Sequence, residues 1–324
     1  MNIIFMGTPD FAVETLKSMY EAGHNILAVV SQPDRKSGRG MNVVSTPVKV
    51  YAEERGIKVY QPEKVRKDIE LIETLKQMKP DVIVVAAFGQ ILPISILEIP
   101  KYGSINVHGS LLPKYRGAAP IQWSIINGDT VTGITTMYMD AGMDTGDMIE
   151  KFELPIDKND TYGTLYEKMK KLGGEAIIST LKKVESGTVP REKQPEDFSL
   201  APMIEKEMGL IDWNKTSSEI RNKIRGFNPM PGAFTLIGDE RIKVWVAEEL
   251  DNFSFENKEN TKPGDIISKS SKDGLIVKTG DGALKIVEVQ FPNKAKMKAE
   301  DYLRGHSIDV DRFNFWYNRK VAEN

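Results

Sequence analysis

Three residue types with chemical potential stand out in two places along the chain. Residues 104–117 read SINVHGSLLPKYRG, and Ile105 to His108 has the composition of a short strand. Strand side chains alternate between faces, so Asn106 and His108 point the same way. That puts an amide, which can donate hydrogen bonds, beside an imidazole, which can take or give a proton near neutral pH. Gly109 ends the strand, Pro113 fixes the loop that follows, and Leu111-Leu112 supplies an apolar wall. Clefts at the carboxyl edge of an α/β sheet are built in this way. A strand end whose Asn and His only satisfy neighbouring backbone groups would look the same locally, so the rest of the chain has to decide. The second place is residues 140–147, DAGMDTGD, where Asp140, Asp144 and Asp147 fall within a glycine-rich loop. Its spacing is not that of an EF-hand and the terminal Glu is missing. A carboxylate set against the imidazole is the better use.

Several chemistries are excluded by composition. The chain has 324 residues and no cysteine, which removes disulfides, thiolate nucleophiles, iron–sulfur clusters and the common zinc sites. Of the three histidines, His24 follows Gly23 at the end of a helix and His306 follows Gly305 near the carboxyl terminus, leaving His108 as the imidazole of choice. No metal is expected, although an oxygen-ligand Mg²⁺ site stays open. Ser110 is the one tempting nucleophile, and no G-x-S-x-G surrounds it. With 44 basic and 46 acidic residues, any nucleic-acid partner must be held by local patches. No apolar run is long enough to span a membrane. The first strand begins at Asn2 and leaves no room for a leader, so a cytoplasmic location is expected.

The elements that must position these residues follow a βαβ rhythm. Asn2 to Gly7 reads as a buried strand, and Thr8-Pro9-Asp10 opens a helix to about Tyr20 that Gly23 stops. A single glycine in that turn rules out the G-x-G-x-x-G of dinucleotide sites. Strands are expected at 26–30, 57–60, 81–87 and 132–139, with helices at 46–55, 118–127 and much of 157–186. A further helix is expected at 65–78, with Ile69, Ile72 and Leu75 inward. The pattern implies a Rossmann-like, mostly parallel sheet whose ligands lie beyond the carboxyl ends of its strands. Gln32 to Ser45 reads as an exposed basic loop carrying Arg35, Lys36 and Arg39, longer than an ordinary connection. Residues 189–206 read as a linker. Beyond it, one short helix and about five short strands suggest a small, OB-like β-barrel, with Lys294, Lys296 and Lys298 as one candidate basic patch.

Taken together, Asn106-x-His108, Ser110-Leu111-Leu112-Pro113, the run Tyr115 to Pro120, Asp140-x-Gly142-x-Asp144-Thr145-Gly146, the opening Gly7-Thr8-Pro9-Asp10-Phe11 and the Gly38-Arg39-Gly40 loop resemble the methionyl-tRNA formyltransferase family. The likeness covers nearly the whole chain. Asn-x-His with a distant Asp-Thr-Gly is less specific, being shared by glycinamide ribonucleotide transformylase and sugar formyltransferases. Met41-Asn42 stands where many relatives continue with lysines, so the loop is less basic than in those relatives.

The resemblance implies a formyl donor, 10-formyltetrahydrofolate, and an acceptor, the α-amino group of charged initiator tRNA, with direct transfer and no covalent intermediate. It implies a catalytic trio of Asn106, His108 and Asp144: Asn106 donating to the oxyanion, His108 stabilising it or moving a proton, and Asp144 orienting His108. The folate is expected against Ser110, Leu111, Leu112 and Pro113 with its ring system towards residues 88–92, and the tRNA against Arg39 and Lys36. The domains are expected as 1–188 catalytic, 189–206 linker and 207–324 tRNA-binding barrel, with no protein partner implied. A sugar-nucleotide formyltransferase, a formyl-folate hydrolase and a non-enzymatic RNA-binding protein are the alternatives from other classes.

Overall fold

Ile3 to Met6 are inaccessible to solvent on both faces, as a central strand of a sandwiched sheet must be. In the computed structural model, which describes residues 1–37, 42–250 and 261–314, they form β1 (Asn2–Gly7). The chain continues through α1 (Asp10–Glu21), β2 (Asn25–Val30), β3 (Arg35–Ser37), β4 (Asn42–Val44), α2 (Pro47–Glu53), β5 (Val59–Tyr60), α3 (Ile69–Gln77), β6 (Val82–Ala86), α4 (Ile94–Leu97) and β7 (Ser104–His108). Next come β8 (Arg116–Gly117), α5 (Pro120–Ile126), β9 (Val131–Tyr138), β10 (Met148–Pro155), α6 (Tyr162–Ser186) and β11 (Leu200–Ala201).

The main sheet has seven strands in the order β10-β9-β7-β6-β1-β2-β5. From β7 to β5 every pair is parallel, whereas β9 runs antiparallel to β7 and β10 antiparallel to β9. The strand order reverses between β1 and β6, which is where an open α/β sheet leaves a crevice. Ile4, Met6, Ile83 and Val85 pack with Leu71, Ile72 and Leu75 on one side of the sheet.

Three expectations need correction. Ile69 is 67% exposed and does not face the core, because Asp68 caps the helix by accepting from Leu71 N at 3.0 Å, and a separate 3₁₀ turn occupies Val65–Lys67. The basic loop is not wholly irregular, since β3 and β4 pair antiparallel within it. Strand β10 has no counterpart among the expected strands; of the strands it pairs with β9 only, Met148 adding a bridge to Glu192, and its burial alternates from Glu150 onward as on an edge.

The contacts divide the chain into two units. Residues 1–120, 131–155 and 165–202 make the first, and residues 121–130, 156–164 and the described residues from 203 onward make the second. The second unit holds α7 (Ser217–Gly226), β12 (Ala233–Ile237), β13 (Glu240–Glu249), β14 (Ile266–Ser270), β15 (Gly274–Lys278), β16 (Ala283–Gln290), β17 (Met297–Lys298) and α8 (Ala299–Gly305). Its strands run β12-β13-β16-β15-β14, with β17 beside β16. Two register shifts in β13, between Val244 and Ala247, let it curve. Residues 311–314 then join the two edges: Ile266 N donates to Asp311 O at 2.8 Å and Phe313 N to Gly264 O at 2.9 Å, while Leu236 and Asn314 exchange bonds of 3.2 and 2.9 Å. The expected small antiparallel barrel is therefore present, closed around Trp213, Phe227 and Phe313. Among the described residues no helix is long and apolar enough to cross a membrane.

Candidate active site

Asn106 and His108 lie on β7, level with Met137 and Thr135 of β9, and Asp144 returns to them from the loop that follows β9. The Asn106 Nδ2 donates to Asp144 Oδ1 at 3.3 Å. Asp144 Oδ2 accepts from the Gly117 N–H at 2.9 Å and stands 3.7 Å from His108 Nδ1. The expected trio is thus one cluster in the structure. Its imidazole is buried, and its other nitrogen, Nε2, lies 3.0 Å from the Tyr115 carbonyl. A carbonyl only accepts, so Nε2 carries the hydrogen and Nδ1 is the nitrogen that faces the carboxylate.

Residues 109–115 wrap around this cluster through polar contacts. Thr135 Oγ1 donates to Ser110 O at 2.7 Å and accepts from Leu112 N at 3.0 Å, and Ser110 Oγ donates to Lys114 O at 2.6 Å. Leu112 packs with Met137 and Met148 in a small core, and its peptide bond to Pro113 is cis. Of the four residues expected to meet folate, Ser110 and Leu112 are therefore buried and engaged within the protein, while Leu111 and Pro113 are partly exposed.

A cleft of about 180 Å³ opens beside the trio, lined by Gln90, Ile91 and Leu92 on one side and by Met137, Met139 and the loop from Asp140 to Asp144 on the other. Gln90 anchors its loop by accepting from Val65 N at 2.8 Å and donating to Pro62 O at 3.0 Å. Ile91 and Met143 leave 73% and 65% of their surfaces exposed at the cleft. Exposed apolar side chains beside a few polar groups suit a flat heteroaromatic ligand. Drug-sized sites run to about 300–1,000 Å³, so this one has room for only a part of such a molecule, the size of a ring system. The role of residues 139–143 as a wall had no signal in the sequence beyond the glycine-rich spacing. Neither had Gln194, which holds the Asp144 loop from within the stretch read as a linker.

Arg39 lies outside the described residues. Lys36 is in β3, next to Arg35, whose guanidinium is 4.0 Å from Glu63. Lys294, Lys296 and Lys298 are exposed on the barrel, and Lys296 pairs with Glu288.

The same two-part organisation is found in known proteins. A family described as "Formyl transferase" matches residues 1–181, and "Formyl transferase, C-terminal domain" matches residues 203–307. Among solved structures, a sugar 3N-formyl transferase, WlaRD, is 24% identical and covers 91% of this chain and 99% of its own at a TM-score of 0.63. HypX from Aquifex aeolicus in complex with tetrahydrofolic acid is 17% identical over 97% of this chain and 50% of its own, with a TM-score of 0.61. At those identities the likeness is one of fold. Much more similar in sequence are the methionyl-tRNA formyltransferase of Clostridioides difficile, 51% identical over 96% of this chain and 98% of the relative, and that of Caldanaerobacter subterraneus subsp. tengcongensis, 50% identical over 95% and 98%. With half of all positions shared across both units, the chain belongs to the methionyl-tRNA formyltransferase family.

Proposed function

We propose that the protein carries out its family's reaction, transferring the formyl group of 10-formyltetrahydrofolate to the α-amino group of methionyl-tRNA and so giving N-formylmethionyl-tRNA for translation initiation. The observation that carries this reading is the meeting of Asn106, His108 and Asp144 beside an apolar cleft. The folate supplies an activated formyl carbon, and its ring system is assigned to the cleft between residues 90–92 and 140–144.

The side chains divide the work according to their bonds. Asn106 spends one amide hydrogen on Asp144 and keeps the second for an oxygen that gains negative charge. One such donor is worth on the order of 3 kcal/mol in other enzymes. His108 has its Nε2 hydrogen tied to the Tyr115 carbonyl, so proton traffic between the attacking amine and the departing nitrogen runs through Nδ1. The Asp144 carboxylate beside Nδ1 stabilises the imidazolium formed when that nitrogen takes the proton. The amine itself titrates near about 8 in model compounds, so little energy is needed to present it neutral.

On this reading residues 1–188 are the catalytic domain, 189–206 the connection and 207–324 the tRNA-binding barrel, with Arg39 and Lys36 contributing contacts to the acceptor and the protein acting in the cytoplasm. The deciding experiment incubates the purified protein with the formyl donor and either charged initiator tRNA or free amino sugars. Formylation of the tRNA is expected. Transfer to amino sugars with charged tRNA ignored would overturn the reading.

A further inference from the structure

Residues 182–202 lie between the two stretches that match the family. Their composition reads as a connection, yet their polar contacts converge on the active site. Gln194 donates both hydrogens of its Nε2 to backbone carbonyls of the functional loop, reaching Asp144 O at 2.8 Å and Gly146 O at 2.9 Å. Its Oε1 accepts from Arg116 Nε at 2.9 Å, and the Arg116 guanidinium rests over the Phe198 ring at 4.4 Å. Five residues further on, Ser199 accepts through Oγ from Tyr115 N at 2.9 Å and through its carbonyl from Arg116 N at 2.9 Å. Tyr115 is the residue whose carbonyl holds His108 Nε2. One segment therefore braces both peptides on which the trio depends.

Those two peptides need bracing. Asp144 and Tyr115 have φ of 53° and 64°, a region that residues other than glycine occupy at a cost of roughly 1–3 kcal/mol and keep only when their surroundings enforce it. Asp140 to Met143 and Thr145 are exposed, so packing contributes little to the loop. A glutamine fits the task because one nitrogen carries two donors and the neighbouring oxygen accepts. A glutamate would turn a negative oxygen towards two carbonyls, and an alanine would reach neither.

We propose that Gln194 is a positioning residue for formyl transfer, holding the Asp144 peptide so that its carboxylate stays between Asn106, the Gly117 N–H and His108. The kinetic arm of the test rests on the proposed function, and the exchange arm does not. Gln194→Ala and Gln194→Glu are made in the full chain, each alone and together with Asp144→Ala. Alone, each lowers kcat on charged initiator tRNA by about 30-fold and leaves KM for the folate within about twofold; in the Asp144→Ala background the further loss is under about threefold. A merely structural residue would cost the same in both backgrounds. By hydrogen exchange, the Gly117 amide, bonded to Asp144 Oδ2, exchanges at least about tenfold faster in both single variants while the amides of β7 keep their rates. An unchanged kcat, an equal loss in the two backgrounds or an unchanged Gly117 amide would each overturn the proposal. If the wild-type protein fails to formylate charged tRNA, the functional reading falls and the exchange measurement alone decides the role of Gln194.

Discussion

Replacing Asp144 by asparagine isolates its charge from its shape. The variant keeps the side-chain volume and one acceptor oxygen. It loses the negative charge 3.7 Å from His108 Nδ1, and it brings an NH₂ group against a donor, either the Asn106 amide at 3.3 Å or the Gly117 N–H at 2.9 Å. Two unit charges about 4 Å apart interact by roughly 4 kcal/mol at the effective dielectric of partly buried protein sites. Asp144 is 17% exposed and His108 6% by side chain, so solvent screens the pair only in part. If half of that interaction is specific to the imidazolium formed during proton transfer, the barrier rises by about 2 kcal/mol. A strained or inverted hydrogen bond to a charged group adds about 1.5 kcal/mol more. Together these predict a loss in kcat of at least ~100-fold, with an upper range near ~1,000-fold, since each 1.36 kcal/mol is a factor of ten. The assay is single-turnover formylation of charged initiator tRNA at saturating donor, accompanied by thermal unfolding to establish that the variant is folded. A folded Asp144→Asn protein within tenfold of wild-type turnover would remove the charge from the mechanism.

Other outcomes follow from neighbouring parts of the molecule. Ile91→Asp, which puts a charge at the cleft, should raise KM for the formyl donor at least ~10-fold with little change in Tm, because Ile91 is mostly exposed; donor binding of normal strength would move the ring site elsewhere. Arg39→Ala should raise the apparent KM for charged tRNA and reduce the logarithmic salt slope by roughly one unit, leaving donor affinity intact. In the barrel unit, hydrogen bonding from the Ser217 N–H holds the Asp281 carboxyl below its ordinary value, so it stabilises the fold above that value and the contribution disappears as pH falls through the folded one. Asp281→Ala should accordingly lower the unfolding temperature at about pH 7 and by progressively less as the pH is taken below the ordinary carboxyl value; a deficit that does not change with pH would show that the bond's charge is immaterial.

The alternation of strands and helices made the first unit's sheet legible, because its central strands are continuous apolar runs. Val82 to Ala86 can belong nowhere but the interior. Its edge was not legible. Met148 to Pro155 mixes Glu150, Lys151 and Glu153 with Phe152 and ends in proline, and a strand whose second side is bridged only at Met148 needs no stronger pattern than that. Helix spacing placed Ile69 with Ile72 and Leu75, but periodicity carries no information about where a cap begins the helix, and Asp68 begins it with Ile69 turned outward. Segment 192–201 was missed for a related reason. Its contacts are made by backbone groups and by the polar side chains of Gln194 and Ser199, which leave no hydrophobic period to read.

Within the site, the glycine-rich motif was visible as a pattern before it had a mechanism, and the structure separates its parts. Asp140 is a structural acid: its Oδ1 accepts from Gly142 N at 2.9 Å and from Thr145 Oγ1 at 2.7 Å, closing a turn. A side chain at position 142 would collide with the Thr145 hydroxyl, and one at 146 with the Tyr138 carbonyl. The two glycines therefore allow the loop to fold back on itself and on the end of β9, and that return carries Asp144 to the Asn106 amide. Of the carboxylates in residues 140–147, only Asp144 is held against the imidazole, and it is the one whose backbone lies in the left-handed region. Strain at Asp144, with the other acids of its loop in ordinary geometry, is the division expected when a loop is shaped to aim one side chain. In this protein the aim depends on a glutamine fifty residues further along, at a position that no local motif marks.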